Sequence, residues 1–163
     1  MHRLSIATAL TGLAVLAAVS LRPGSAAAQA PAEMKLTIAV AGQTQTLRGT
    51  GQCGHEPRGW IYGKAAQLWM ASYGQPATQV SLTYWRLAAA GAGDQFSLSV
   101  QSGRKHHRIS TVKGGKPAGS GRSTFQPTAL GGRFEITGTS AEGAPVHATI
   151  ECARFGSIAA EGG

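Results

Sequence analysis

The chain has 163 residues, 42% of them hydrophobic and 13% charged, with 15 Lys and Arg against 7 Asp and Glu for a net charge of +8. Apart from one run at the start, no segment is apolar enough to cross a bilayer as a helix. The length left after that run fits one domain with one core and does not easily fit two. A surface this basic points to anionic partners.

The apolar run begins behind His2 and Arg3, extends over residues 4–21 without a charge, and is broken by Arg22, Pro23 and Gly24. Small residues follow in Ser25-Ala26-Ala27-Ala28-Gln29-Ala30, the pattern that a signal peptidase reads. Residues 1–28 are therefore expected to be a signal peptide, cut after Ala28 so that Pro31 does not become the first mature residue. A membrane anchor is the alternative; Gly12 and the small-residue exit favour cleavage. No cysteine stands at the cut, so no lipid anchor is expected there. Residues 29–163 then form one exported β domain, periplasmic or secreted, with no transmembrane segment after cleavage. Loss of Arg3 and Arg22 leaves 13 basic and 7 acidic residues, a charge of +6.

The first strand is expected over residues 34–40, where Met34, Leu36, Ile38 and Val40 alternate with Lys35, Thr37 and Ala39. Ala41-Gly42-Gln43 reads as a turn, and residues 44–53 as a Thr- and Gly-rich strand ending at Cys53. Residues 54–59 read as a loop held by Pro57. Residues 60–62 and 67–73 read as short strands around Gly63, although 64–72 could form two turns of helix. Val80, Leu82 and Tyr84 share one face of the next strand and Thr83, Trp85 and Leu87 the other, so both faces are expected to be covered. After a small-residue loop at 88–93, Phe96, Leu98 and Val100 alternate with serines, and Ser102-Gly103 closes that strand.

A strand over 108–113 is expected to lead into a tight hairpin at Gly114-Gly115. Residues 123–126 form another short strand, Gly131-Gly132 a turn, and residues 133–139 carry Phe134 and Ile136 inward. In the last strand, 146–152, Val146, Ala148, Ile150 and Cys152 share one face. About nine short strands, glycine-rich turns and almost no helical periodicity predict an all-β antiparallel sandwich or barrel. Export makes a Cys53–Cys152 disulfide the expectation, with two buried free thiols as the alternative. The bond would tie the second strand to the last across the interior, and closing a loop of about 100 residues is worth roughly 4 to 5 kcal/mol in the chain-entropy model.

Several of these segments also form a layout. Val40-Ala41-Gly42 ends the first strand, Gly49-Thr50-Gly51-Gln52-Cys53 closes the second, Phe134-Glu135-Ile136-Thr137-Gly138-Thr139 comes late and Ile150-Glu151-Cys152 ends the last. That layout resembles the mycobacterial lipoprotein antigens of the nineteen-kilodalton class, which are small exported β proteins. The resemblance implies an envelope or surface protein without established enzymatic chemistry, and carries over only the paired cysteines. This chain departs from it in lacking a lipid-bearing cysteine and in the basic character of residues 103–122.

The strongest charged feature is Arg104-Lys105-His106-His107-Arg108, continued by Lys113, Lys116 and Arg122, with no acid between Asp94 and Glu135. Crowded on a hairpin, Arg104, Lys105, His107, Arg108, Lys113 and Lys116 would make an anion-contact surface for lipopolysaccharide, an acidic polysaccharide or a lipid headgroup. The bland alternative is a solvated hairpin whose charges keep a sheet edge from pairing. His55-Glu56 could be a base and its partner, or two metal ligands. Adjacent residues seldom converge, however, and His106, His107 and His147 qualify as helpers by type only, so no metal and no cofactor are expected.

Gly119-Ser120-Gly121 lacks nucleophile-elbow spacing, and Asp94 is the single aspartate. Residues 113–121 do not have the order of a phosphate loop. The expectation is a non-enzymatic binding protein. Its alternatives are an enzyme inhibitor acting through the 54–59 loop and a small hydrolase with a dispersed site. Trp60, Tyr62, Trp69, Tyr73, Tyr84 and Trp85 either fill the core or make an exposed platform.

Overall fold

A computed structural model of the chain describes residues 31–158; the expected signal peptide and its cleavage point lie outside the described residues. Among these, ten strands form: β1 (Pro31–Val40), β2 (Gln43–Ile61), β3 (Lys64–Gln75), β4 (Thr78–Leu87), β5 (Gln95–Ser102), β6 (Lys105–Ser110), β7 (Ser120–Pro127), β8 (Gly132–Thr139), β9 (Pro145–Cys152) and β10 (Gly156–Ser157). Nine of them make one antiparallel sheet in the order β6-β5-β4-β3-β2-β1-β9-β8-β7. A bridge between Ser110 of β6 and Ala118, in the segment that precedes β7, closes the seam, so the sheet is a nearly closed barrel rather than two stacked layers.

Alternation accounts for the barrel's filling. Leu36 and Ile38 of β1, Val80, Leu82 and Tyr84 of β4, Phe96 and Leu98 of β5, Phe134 and Ile136 of β8 and Ile150 of β9 all point inward and are buried. Each such side chain contributes about 1.5–3 kcal/mol of transfer free energy. The opposite face of β4 is only partly covered: Trp85 and Leu87 pack against a small outer cluster of Ile61, Ala66 and Val112. Residues 64–72 belong to β3, paired along its length with β4, which removes the helical alternative.

Three expectations need correction. Residues 54–59 are not a loop: β2 runs on to Ile61, with Gly54, His55 and Glu56 opposite Met70, Trp69 and Leu68 of β3. Pro57 and Arg58 then face the single residue Gln67 as a bulge, where a proline's missing N–H costs no ladder bond. The inhibitor loop is therefore part of a strand.

The basic segment is also shifted. β6 begins at Lys105 and ends at Ser110, and residues 111–119 run back along the seam instead of turning tightly at Gly114-Gly115. The cause is Thr111, which still exchanges hydrogen bonds with Phe96, and Lys113, whose N–H donates to the Gln95 side chain at 2.7 Å.

The disulfide forms between Cys53 and Cys152, but it spans one strand's width and not the core. β1 lies between β2 and β9, and its pairing with β2 begins at Pro31 opposite Gln52. Cys152 stands opposite Met34 of β1, and the Cα atoms of the two cysteines are 6.2 Å apart. β10 pairs with β2 in parallel just past Cys53, Gly156 opposite Gly54 and Ser157 opposite His55. A disulfide is consistent with an oxidising compartment outside the cytoplasm.

Candidate functional site

The registers define two rims. One carries the 62–63 turn, the 88–94 loop and the 128–131 turn; the other carries the turns at 41–42, 76–77, 103–104 and 140–144.

At the second rim the β5–β6 hairpin projects Arg104 from its turn, after Gly103 at φ 58°, and Lys105 from its first strand residue, both exposed. His106 and Arg108 point outward, and His106 Nε2 lies 2.7 Å from Ser99 Oγ. His107 is turned inward: its Nδ1 lies 3.5 Å from Ser140 Oγ and 3.9 Å from Glu142 Oε2. The seam is closed here by the β8–β9 turn. Ala141 N–H donates to the Arg108 carbonyl at 2.8 Å, and Arg108 N–H donates to Glu142 Oε2 at 3.2 Å. Slight burial works against the Glu142 charge, but hydrogen bonds from its own N–H, the Ser140 hydroxyl and Arg108 N–H, with His107 nearby, hold its carboxyl below the usual range.

His106, Arg108 and Lys116 line one groove of about 530 Å³ with residues 140–143. The structure thus brings Arg108 and Lys116 together, with Arg104 and Lys105 on the adjoining turn. It does not bring Lys113 to them: Lys113 stands at the first rim, next to Gly114, which packs under the Tyr62 ring. Sequence reasoning missed Glu142, an acid distant in sequence that enters the groove because the β8–β9 turn caps the seam. No local signal announces it.

The first rim holds a second constellation. Trp69, Tyr84, Phe125 and Phe134 form an aromatic stack in the barrel, Phe125 on Phe134 at 4.5 Å between centroids. The Arg86 guanidinium caps it, 5.6 to 5.9 Å from the Phe125, Trp69 and Tyr84 ring centres. Asp94 fixes Arg86 through bonds of 3.4 Å to Nε and Nη2, and accepts a bond from the Tyr84 hydroxyl. Burial, then the Asp94 bond, push the Tyr84 hydroxyl well above its ordinary value. The period-two spacing of Tyr84 and Arg86, with one aspartate in the chain, was the available signal for this group.

His55 and Glu56 do not converge. The His55 ring lies inside, stacked on Trp69 at 4.4 Å, with burial lowering its pKa and its Nε2 without a partner. Glu56 instead accepts the Arg58 N–H at 2.8 Å across the bulge. No group of three or more His, Cys, Asp or Glu among the described residues is placed to hold a metal ion. His147 Nδ1 lies 3.3 Å from Thr137 Oγ1 on the outer face.

A groove of about 850 Å³ over β2, β1, β9 and β8 carries Glu33, Lys35, Arg48, Arg133 and Glu151 among its walls. Glu151 pairs with Lys35 at 3.8 Å and with Arg133 at 3.2 Å, which engages two of the groove's three cations. No protein-family model, no curated protein and no solved structure matches the chain.

Proposed function

We propose that this is a non-enzymatic exported envelope protein, periplasmic or secreted, that binds an anionic polymer of the envelope through the basic face at the seam. The observation that carries the reading is the convergence of Arg108 and Lys116 on one groove, with Arg104 and Lys105 on the neighbouring turn and Glu142 already held by backbone and hydroxyl donors. Several cations at one rim raise the local concentration of a polyanion and release counterions when it binds. The disulfide supports an extracytoplasmic setting, where lipopolysaccharide and acidic polysaccharides supply such charge.

The test is binding of the purified protein to lipopolysaccharide and to a sulfated polysaccharide across a salt series. It is run beside a variant combining Arg104→Glu, Lys105→Glu, Arg108→Gln and Lys116→Glu. Arg108 is neutralised rather than reversed because a carboxylate there would face Glu142. Binding that weakens with salt and disappears in the variant is expected. Equal binding by both proteins would sink the reading.

A further inference from the structure

The bulge and hairpin at the first rim build a second site, separate from the basic face and independent of the function proposed for it. The bulge, where Pro57 and Arg58 face Gln67 of the neighbouring strand, is pinned by the Glu56 carboxylate, which accepts the Arg58 N–H. Four residues on, the β2–β3 hairpin closes with Tyr62 at φ 46° and Gly63 at φ 75°, a left-handed pair in which a bulky Tyr is rare. The turn is held because the Tyr62 ring lies on the bare backbone of Gly114 and Gly115, where a Cβ would meet it at 3.1 and 2.8 Å. Trp60, just before this braced turn, is 68% exposed. Core packing does not explain it.

Trp60 instead walls a depression of about 470 Å³ with Pro57, Arg58, Gln67, Arg86 and Ala88. Gly59, Ala65, Ala66 and Leu87 complete its lining, and no carboxylate lines it among the described residues. Arg86 is oriented there by Asp94 and Tyr84 through Nε and Nη2, which leaves Nη1 outside those bonds. An aromatic face, two guanidinium groups and a side-chain amide at one open depression make a specific chemical demand. The negative face of an indole attracts the weakly positive C–H face of a sugar ring. A guanidinium fork matches a carboxylate, and an amide both donates to and accepts from hydroxyls.

We propose that this depression binds a uronic acid residue, its pyranose ring on Trp60, its carboxylate on Arg58 and Arg86, and a ring hydroxyl on Gln67. The test is calorimetric titration of the folded protein with tetragalacturonate and with its fully methyl-esterified form, which keeps length and hydroxyls but loses the charge. Tetragalacturonate is expected to bind, and the ester to bind about tenfold more weakly or worse, the equivalent of one lost charge-assisted hydrogen bond.

Arg58→Gln and Trp60→Ala, both at exposed side chains, are each expected to weaken tetragalacturonate by a similar factor while the melting temperature holds. A variant carrying Arg104→Gln, Lys105→Gln and Lys116→Gln is expected to bind as the parent does, which separates this site from the basic face. The proposal is overturned if tetragalacturonate does not bind the parent, if the ester binds equally well, if both rim variants retain binding, or if only the basic-face variant loses it.

Discussion

At His55 the imidazole is packed on Trp69 with Nε2 lacking an acceptor, and burial holds its pKa below the ordinary 6.5. Above that value both folded and unfolded chains carry a neutral ring, and the site has no pH dependence. As the pH falls below it, the unfolded chain takes up a proton that the folded one resists, so stability drops. Glu142 is shifted in the same direction, for a different reason, and acts lower. Its carboxyl is held below the ordinary 4.5, so the stability it contributes is present above that value and is lost as the pH falls through the folded value. Urea midpoints taken from pH 8 to pH 3 should therefore decline in two stages. His55→Phe, which keeps a ring against Trp69, should remove the upper stage, and Glu142→Gln should flatten the lower one. An unchanged upper stage in His55→Phe would assign it to another histidine.

The strands that were readable in advance are those whose inward residues are apolar at every second position. β4, β5, β8 and β9 fall within two residues of their sequence-based limits, and β1 within three. β2 was cut short because Gly54, Pro57 and Gly59 carry the chemistry of a loop, and only pairing with β3 turns that chemistry into a bulge. β10 has two residues and no alternation to see; it is defined only by its pairing with Gly54 and His55 of β2. The basic run was legible as a charge cluster, whereas its division between two rims follows from the Gln95 side chain, which anchors Lys113 by a backbone N–H.

Turn chemistry at this scale also makes a prediction. Ala41 at φ 50° and Gly42 at φ 81° form a two-residue hairpin turn that favours Asn at its first position. Ala41 is exposed. Ala41→Asn is expected to stabilise the protein by about 0.5–1 kcal/mol, because Asn tolerates the left-handed region better. Equilibrium denaturation would show this as a raised midpoint at constant slope.

On the scale of the whole molecule, the barrel's strong and weak places are far apart in the sheet. β2, β1 and β9 are continuously paired and covalently tied at Cys53 and Cys152, whereas β6 is joined across the seam by the Ser110–Ala118 bridge and the 140–144 turn. The proposed polymer face lies over the weak place. The uronate depression lies at the rim braced by the long β2–β3 hairpin. The cysteine pair also divides the chain in a way that matters when the molecule is pulled. A load applied before Pro31 and after Ile158 travels along β1 and the first part of β2, crosses the sulfur–sulfur bond, and leaves through β10. Everything from β3 to β9 hangs off that line as a closed ring. The ring conceals about 340 Å of chain, at about 3.4 Å for each of roughly 100 residues. Force spectroscopy should find that length in single molecules only after a reductant is added. An oxidised molecule stretched at its ends would keep both proposed binding surfaces inside the unloaded ring, Arg58 and Trp60 included, since they lie just past Cys53.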